Sequence, residues 1–172
     1  MNRNRKTSGF TLVEILIVVI ILGILAAIVI PQFTNASQDA RKNSLTSQLQ
    51  TIRSQLELSK LQHLDNASPD LVAAGADPWD QLTVKTDDDY TVDANGTFGP
   101  YLNAAPANPL NGGTLVVANS DATEPAFGDP SGATSSPKTN TGWVYYVPTG
   151  KIFATSKDGT TIYNEVTGDG AQ

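Results

Sequence analysis

Few residues in this 172-residue chain could do chemistry, and the first of them is a carboxylate set in hydrocarbon. Glu14 stands at the start of a segment, Ile15 to Ile30, that carries no charged side chain. An unpaired charge there costs a few kcal/mol, so Glu14 is expected to stay protonated, to snorkel toward an interface, or to meet a cation. A second acidic group lies far along the chain at Asp87, Asp88 and Asp89. Such hard oxygen donors could hold calcium, the one cofactor these residues suggest, although a run of this kind usually forms a solvated acidic turn. Asp93-Ala94-Asn95-Gly96 shares part of an EF-hand loop, but the first ligand would be Thr91 and the last Leu102, so that motif fails.

Catalytic patterns are missing. The chain has no Gly-rich Walker loop, no His-Glu-x-x-His and no cysteine, which excludes disulfides, thiol catalysis and Cys-ligated zinc together. A Ser-His-Asp triad would have to recruit His63, the only histidine. That residue is expected in the last turn of a helix, solvated, with no metal-ligand partner at helical spacing. No spacing singles out a carboxylate pair for acid-base work.

The pattern around Glu14 predicts the element that carries it. From Phe10 to Ile30 is about 21 residues, as a helix roughly 31 Å, close to the hydrocarbon thickness of a bilayer. Arg3, Arg5 and Lys6 precede it without an acid, which keeps that end cytoplasmic and translocates the distal part of the chain. From Leu61 onward about 14 acids face about 4 bases, so the distal part repels nucleic acid phosphates. The segment reads as a permanent anchor, a cleavable signal, or the start of a longer helix. Thr34-Asn35-Ala36 is a passable cleavage site, yet Glu14 would bring a signal peptide no benefit. Helical spacing also continues past it through Ala36, Ala40, Leu45, Leu49, Ile52 and Leu56, so one rod from about Phe10 to about Leu64 is simpler. Asp65-Asn66-Ala67-Ser68-Pro69 should end it. Inside the rod, Pro31 removes the hydrogen bond to the Ala27 carbonyl and Gly23 weakens the interval before it, giving either a soft section or a simple kink.

From about Asp70 the chain reads as loops and short strands. Leu82-Thr83-Val84, Tyr90-Thr91-Val92 and Leu115-Val116-Val117 are β-like. Trp143 to Val147, Lys151 to Ala154 and Thr160 to Tyr163, with turns at Pro148-Thr149-Gly150 and Asp158-Gly159, predict an antiparallel meander on which the helix can lie. Ser131 to Thr141 is expected as a mobile surface loop.

Ser8-Gly9-Phe10-Thr11-Leu12-Val13-Glu14, with the apolar run and Pro31 after it, resembles the leader and helix of type IV pilins and of type II secretion pseudopilins. The resemblance implies cleavage between Gly9 and Phe10 by a prepilin peptidase, N-methylation of the new Phe10 amine, and pairing of that amine with Glu14 of a neighbouring subunit. It also implies that the stretch around Gly23 and Pro31 can lose helicity as subunits pack. Phe98-Gly99-Pro100-Tyr101-Leu102 and Pro106-Ala107-Asn108-Pro109 are similar to a major-pseudopilin segment. Those proteins carry a calcium-binding acidic loop near the C-terminus, whose ligands do not map onto Asn164 to Gly170. Three matches to the N-glycosylation pattern, at Asn35, Asn66 and Asn95, read as coincidence beside a bacterial-type leader.

The expected fold is therefore α+β, a long N-terminal helix packed on a small antiparallel sheet. Residues 1–9 are a leader, 10–31 a transmembrane helix, 32–66 its amphipathic continuation and 67–172 a periplasmic head. The resemblance implies a non-enzymatic filament subunit, held in the inner membrane and assembled into a helical homopolymer. Its partners would be minor pseudopilins, a prepilin peptidase, an assembly ATPase and a platform protein. A type IV pilin for adhesion, motility or DNA uptake, and a membrane-anchored or secreted binding module that never polymerises, are the alternatives.

Overall fold

The computed structural model describes residues 9–63, 69, 71, 77–119, 124–126 and 141–167. The expected helix end at Leu64, the turn of 65–68 and most of the Ser131 to Thr141 loop lie outside these residues, as does the leader before Gly9. Two compact units result, Met1–Asp39 and Ala40–Gln172.

Helix α1 runs from Leu12 to Gln62 with Pro31 inside it. In the first unit its large apolar side chains are all exposed, Val29 the least at 39%. Thr34 returns its hydroxyl to the Ile30 carbonyl at 3.2 Å, one turn back.

In the second unit α1 buries Leu45, Leu49, Ile52, Leu56 and Ser59, a stripe of alternating four- and three-residue steps along one helix face. Ala40, on the same expected stripe, stays exposed, since a methyl group offers little area to bury. Leu45, Leu49, Ile52 and Leu56 share a core with Trp79, Leu82, Trp143, Tyr145 and Ile152. The two indoles meet edge to face, centroids 6.3 Å apart, and each N–H finds a carbonyl: Trp79 donates to Thr114 and Trp143 to Pro106.

Among the described residues three strands form the sheet, β1 Leu115–Asn119, β2 Thr141–Tyr146 and β3 Lys151–Ala154, in the order β1-β2-β3. The β2–β3 hairpin is as expected, closed by Gly150 at φ 68° with its N–H on the Tyr146 carbonyl. As the central strand, β2 is buried throughout, with Trp143 and Tyr145 in the helix-side core and Val144 and Tyr146 in a second cluster with Phe153 and Ile162.

Three expectations are corrected. The sheet is mixed, because β1 pairs with β2 in parallel, Val116 beside Trp143 and Asn119 beside Tyr146. A parallel partner needs a long connection rather than a tight turn, and residues 120–140 supply one. Leu82-Thr83 lies in a short helix, α2 Asp80–Thr83, instead of a strand. Asp77 starts it by accepting the Trp79 N–H, and tethering of the Trp79 indole outweighs the β propensity of Thr83 and Val84. Thr160 to Tyr163 makes one bridge, Thr155 to Ile162, rather than a strand. Here Asp158 accepts from Ser156, from the Thr160 hydroxyl at 2.7 Å and from the Thr160 N–H at 3.0 Å, so side chains take bonds a ladder would use.

Candidate functional site

The N-terminal motif is built on the first turn of α1. Gly9 and Phe10 precede the helix and are exposed, Phe10 at 77%. Thr11 stands where an N-cap belongs and Glu14 three residues on. The Glu14 N–H donates to Thr11 Oγ1 at 3.3 Å, and the Thr11 N–H reaches Glu14 Oε2 at 3.5 Å, the outer limit for such a bond. This is a reciprocal capping box, which satisfies two of the N–H groups that a helix start leaves unpaired. The Thr-x-x-Glu spacing announces it in the sequence, although attention to Glu14 as a charge in hydrocarbon passes over it. The carboxylate also sits at the positive end of the helix macrodipole.

Beyond Glu14 an 18-residue window reaches a mean hydropathy of 3.3 with none of it buried, long and apolar enough to cross a membrane. Gly23 lies in this stretch with open space around the position of an added Cβ, so no packing among the described residues requires a glycine. Pro31 is accommodated without ending the helix.

His63 is not solvated as expected. It is 1% exposed, its Nδ1 lies 2.7 Å from the Ser59 carbonyl and its Nε2 3.1 Å from Thr86 Oγ1. A carbonyl can only accept, so Nδ1 carries a proton. The ring stacks on Tyr90 with centroids 3.8 Å apart, and Tyr90 holds a positive φ of 65°. The Ser59 hydroxyl meets Tyr90 OH at 3.4 Å, and burial pushes the Tyr90 phenol above its ordinary range. His63 thus fastens the 86–98 loop to the end of α1, a role that distant aromatic partners create and local sequence does not show.

Asp87, Asp88 and Asp89 lie in an exposed turn of that loop. The Asp87 carbonyl accepts the Tyr90 N–H, and Asp89 Oδ1 accepts the Thr91 N–H at 3.0 Å. Bonds from Thr91, the largest influence, hold the Asp89 carboxyl below its usual range. Among the described residues no three His, Cys, Asp or Glu side chains converge as a metal centre.

Two further constellations organise the head. Fully buried Asn108 donates from Nδ2 to the Gly142 and Thr155 carbonyls, both at 2.9 Å, and accepts the Leu110 N–H at 2.9 Å. Asn111 donates to the Thr141 and Ser156 carbonyls at 3.1 and 2.9 Å. Together they sew the 108–113 loop to the start of β2 and the end of β3. Arg53 on α1 forms a bidentate pair with Glu165 at 2.6 and 2.9 Å, while its Nη2 also donates to the Ile152 carbonyl at 3.0 Å. Both line an open groove of about 440 Å³ with Glu124, Lys151 and Phe153. Among the described residues its cations are already paired, Arg53 with Glu165 and Lys151 with Glu124.

The turn below β3 gives a pH test. Hydrogen bonds from Ser156 first, then Thr160, hold the Asp158 carboxyl down at about 2. Because the folded pKa is depressed, the turn keeps its full bonding above the unfolded value of about 4 and loses it as pH falls through about 2. In an acid titration the Thr160 amide resonance should move with a midpoint near 2; a midpoint near 4 would contradict these bonds.

The prokaryotic N-terminal methylation motif matches residues 4–30, which include Gly9, Phe10 and Glu14. About a third of the chain is also similar to type II secretion system core protein G. The chain is 42% identical to that of Pseudomonas aeruginosa over 59 residues, covering 34% of this chain and 42% of the relative. It is 40% identical to that of Dickeya chrysanthemi over 57 residues, 33% of this chain and 37% of the relative. With that of Vibrio cholerae it shares 36% over 61 residues, 36% of this chain and 42% of the relative. The matches thus span about two fifths of each relative's length. No solved structure matches the chain.

Proposed function

We propose that this chain is the structural subunit of a type II secretion filament, a major pseudopilin, and not an enzyme. One observation carries the reading: the methylation motif stands at the head of a helix whose apolar stretch is wholly unburied, in a chain similar over about a third of its length to core protein G. Such a stretch must be covered by lipid or by copies of itself, since water leaves it uncompensated.

In this reading a prepilin peptidase cuts between Gly9 and Phe10 on the cytoplasmic side and the Phe10 amine is methylated. The mature chain waits in the inner membrane as a single-span protein with its acidic head in the periplasm. Assembly moves the apolar helix from lipid into a bundle of identical helices, where Glu14 meets the Phe10 amine of a neighbour. Gly23 and Pro31 mark the section where α1 can yield. Force comes from a cytoplasmic ATPase acting through a membrane platform protein, and minor pseudopilins join the filament. The Asp87–Asp89 turn remains a candidate for calcium, which a comparison of the head's Tm in calcium and in chelator decides.

Deletion of the gene tests the function. Exported proteins should accumulate in the periplasm while surface motility and DNA uptake continue. Normal secretion with lost motility or transformation would instead make the filament a type IV pilus.

A further inference from the structure

We propose that Asn95 is an acceptor for N-linked glycosylation, the ligand class being an oligosaccharide carried on a lipid pyrophosphate. The proposal rests on the reading that the head is exported, where such donors are used on secreted chains.

Sequence alone gives no reason to prefer one of the three Asn-x-Ser/Thr matches, but the structure separates them. Asn35-Ala36-Ser37 lies inside α1, where the backbone is committed to the helix and cannot bend into a transferase cleft. Asn66-Ala67-Ser68 falls outside the described residues. Asn95-Gly96-Thr97 occupies a turn of the 86–98 loop, and Asp93, Ala94, Asn95 and Thr97 are all exposed. Bridges from Thr86 to Val92 and to Phe98 fix the base of that loop. At its tip the Asn95 N–H donates to Asp93 Oδ1 at 2.8 Å and the Gly96 N–H to the Asp93 carbonyl at 2.9 Å.

Within this triplet only the glycine has a structural reason to be there. A Cβ at Gly96 would lie 2.6 Å from the Thr86 carbonyl oxygen, so the backbone passes too close for any larger residue. The Asn95 carboxamide and the Thr97 hydroxyl, in contrast, have no hydrogen-bond partner among the described residues. Asn108 and Asn111 show how this head uses an asparagine structurally, with the amide N–H groups donated to backbone carbonyls and to the Thr155 hydroxyl. Asn95 and Thr97 present the acceptor amide, and the hydroxyl two residues on, to solvent.

The chemistry is a group transfer. The Asn95 Nδ2 attacks the anomeric carbon of the lipid-linked sugar, and a C–N bond forms as the C–O bond to pyrophosphate breaks. The electron pair leaves with the pyrophosphate and one amide proton passes to a base of a separate membrane transferase. No oxidant or reductant is needed. The Thr97 hydroxyl is a positioning group, hydrogen-bonded by the transferase.

The test uses the full chain recovered from the membranes of its own organism. After trypsin, the fragment 86–138 contains Asn95. It should carry a glycan mass that disappears in Asn95→Gln and Thr97→Val and persists in Thr97→Ser. The variants should melt with the parent chain, because neither side chain has a partner to lose among the described residues. An unmodified fragment in a chain that begins at methylated Phe10 would overturn the glycan site and leave the export reading standing. A glycan that survives Asn95→Gln would likewise overturn it. An unmodified fragment in a chain that begins at Met1 would count against both readings.

Discussion

Glu14→Ala is expected to raise the concentration needed for filament assembly about a hundredfold while leaving the Tm of the head unchanged. In the proposed filament, processing would expose an amine on Phe10, one residue before the N-cap, and assembly would carry it into a bundle of apolar helices. Without Glu14 that charge is buried alone, at a cost of roughly 3 kcal/mol per subunit. Each 1.4 kcal/mol is a factor of ten, so the concentration needed for assembly should rise about a hundredfold. Loss of the capping box adds about 1 kcal/mol at the helix start. The head's core, from Leu45 to Tyr163, contains none of these residues, and its stability should not respond. Glu14→Ala chains that form filaments at the parent concentration would refute the pairing. Thr11→Val separates the two roles of Glu14, since it removes the cap's hydroxyl and leaves the carboxylate, and it should weaken assembly less than tenfold.

Gly142→Ala is expected to unfold the head or to cost it more than about 4 kcal/mol. Gly142 opens β2 against the 108–113 loop, and a Cβ there would lie 2.0 Å from the Gly113 carbonyl oxygen and 2.5 Å from its carbon. Those atoms are backbone, fixed in turn by the Gly113 carbonyl's bond from the Asn108 N–H at 2.9 Å and the Gly142 carbonyl's bond from Asn108 Nδ2. Relief requires the loop to move away, which strands buried partners at about 1–3 kcal/mol for each lost bond. Denaturant unfolding of the variant reads the difference directly. A loss below about 1 kcal/mol would show that the loop and strand are not in contact as described.

Whether a feature can be read from the sequence depends on how local its determining contacts are. The β2–β3 hairpin can be read because alternation and a Pro-Thr-Gly turn lie within a dozen residues. The motif at Gly9, Phe10 and Glu14 can be read for the same reason, since cap, charge and apolar run are contiguous. The parallel pairing of β1 cannot, because its partner lies more than twenty residues on and hydropathy records no strand direction. His63 defeats a helix-end reading because its burial depends on Thr86, Tyr90 and Phe98, contributed by a loop that a single-helix pattern does not see. Asn108 shows in the sequence only as part of a familiar segment; nothing near it reveals that its amide closes a gap between β2 and β3. Trp79 likewise makes a helix where propensity favours a strand, through one indole bond to Thr114.

The intact mass and N-terminal fragments of the chain isolated from native membranes test the central claim most directly. A filament subunit of the proposed kind begins at Phe10 with a methylated amine and has lost residues 1–9. A chain that begins near Ser37 would be an ordinary secreted domain, and one that begins at Met1 a plain membrane anchor; either would contradict assembly through α1.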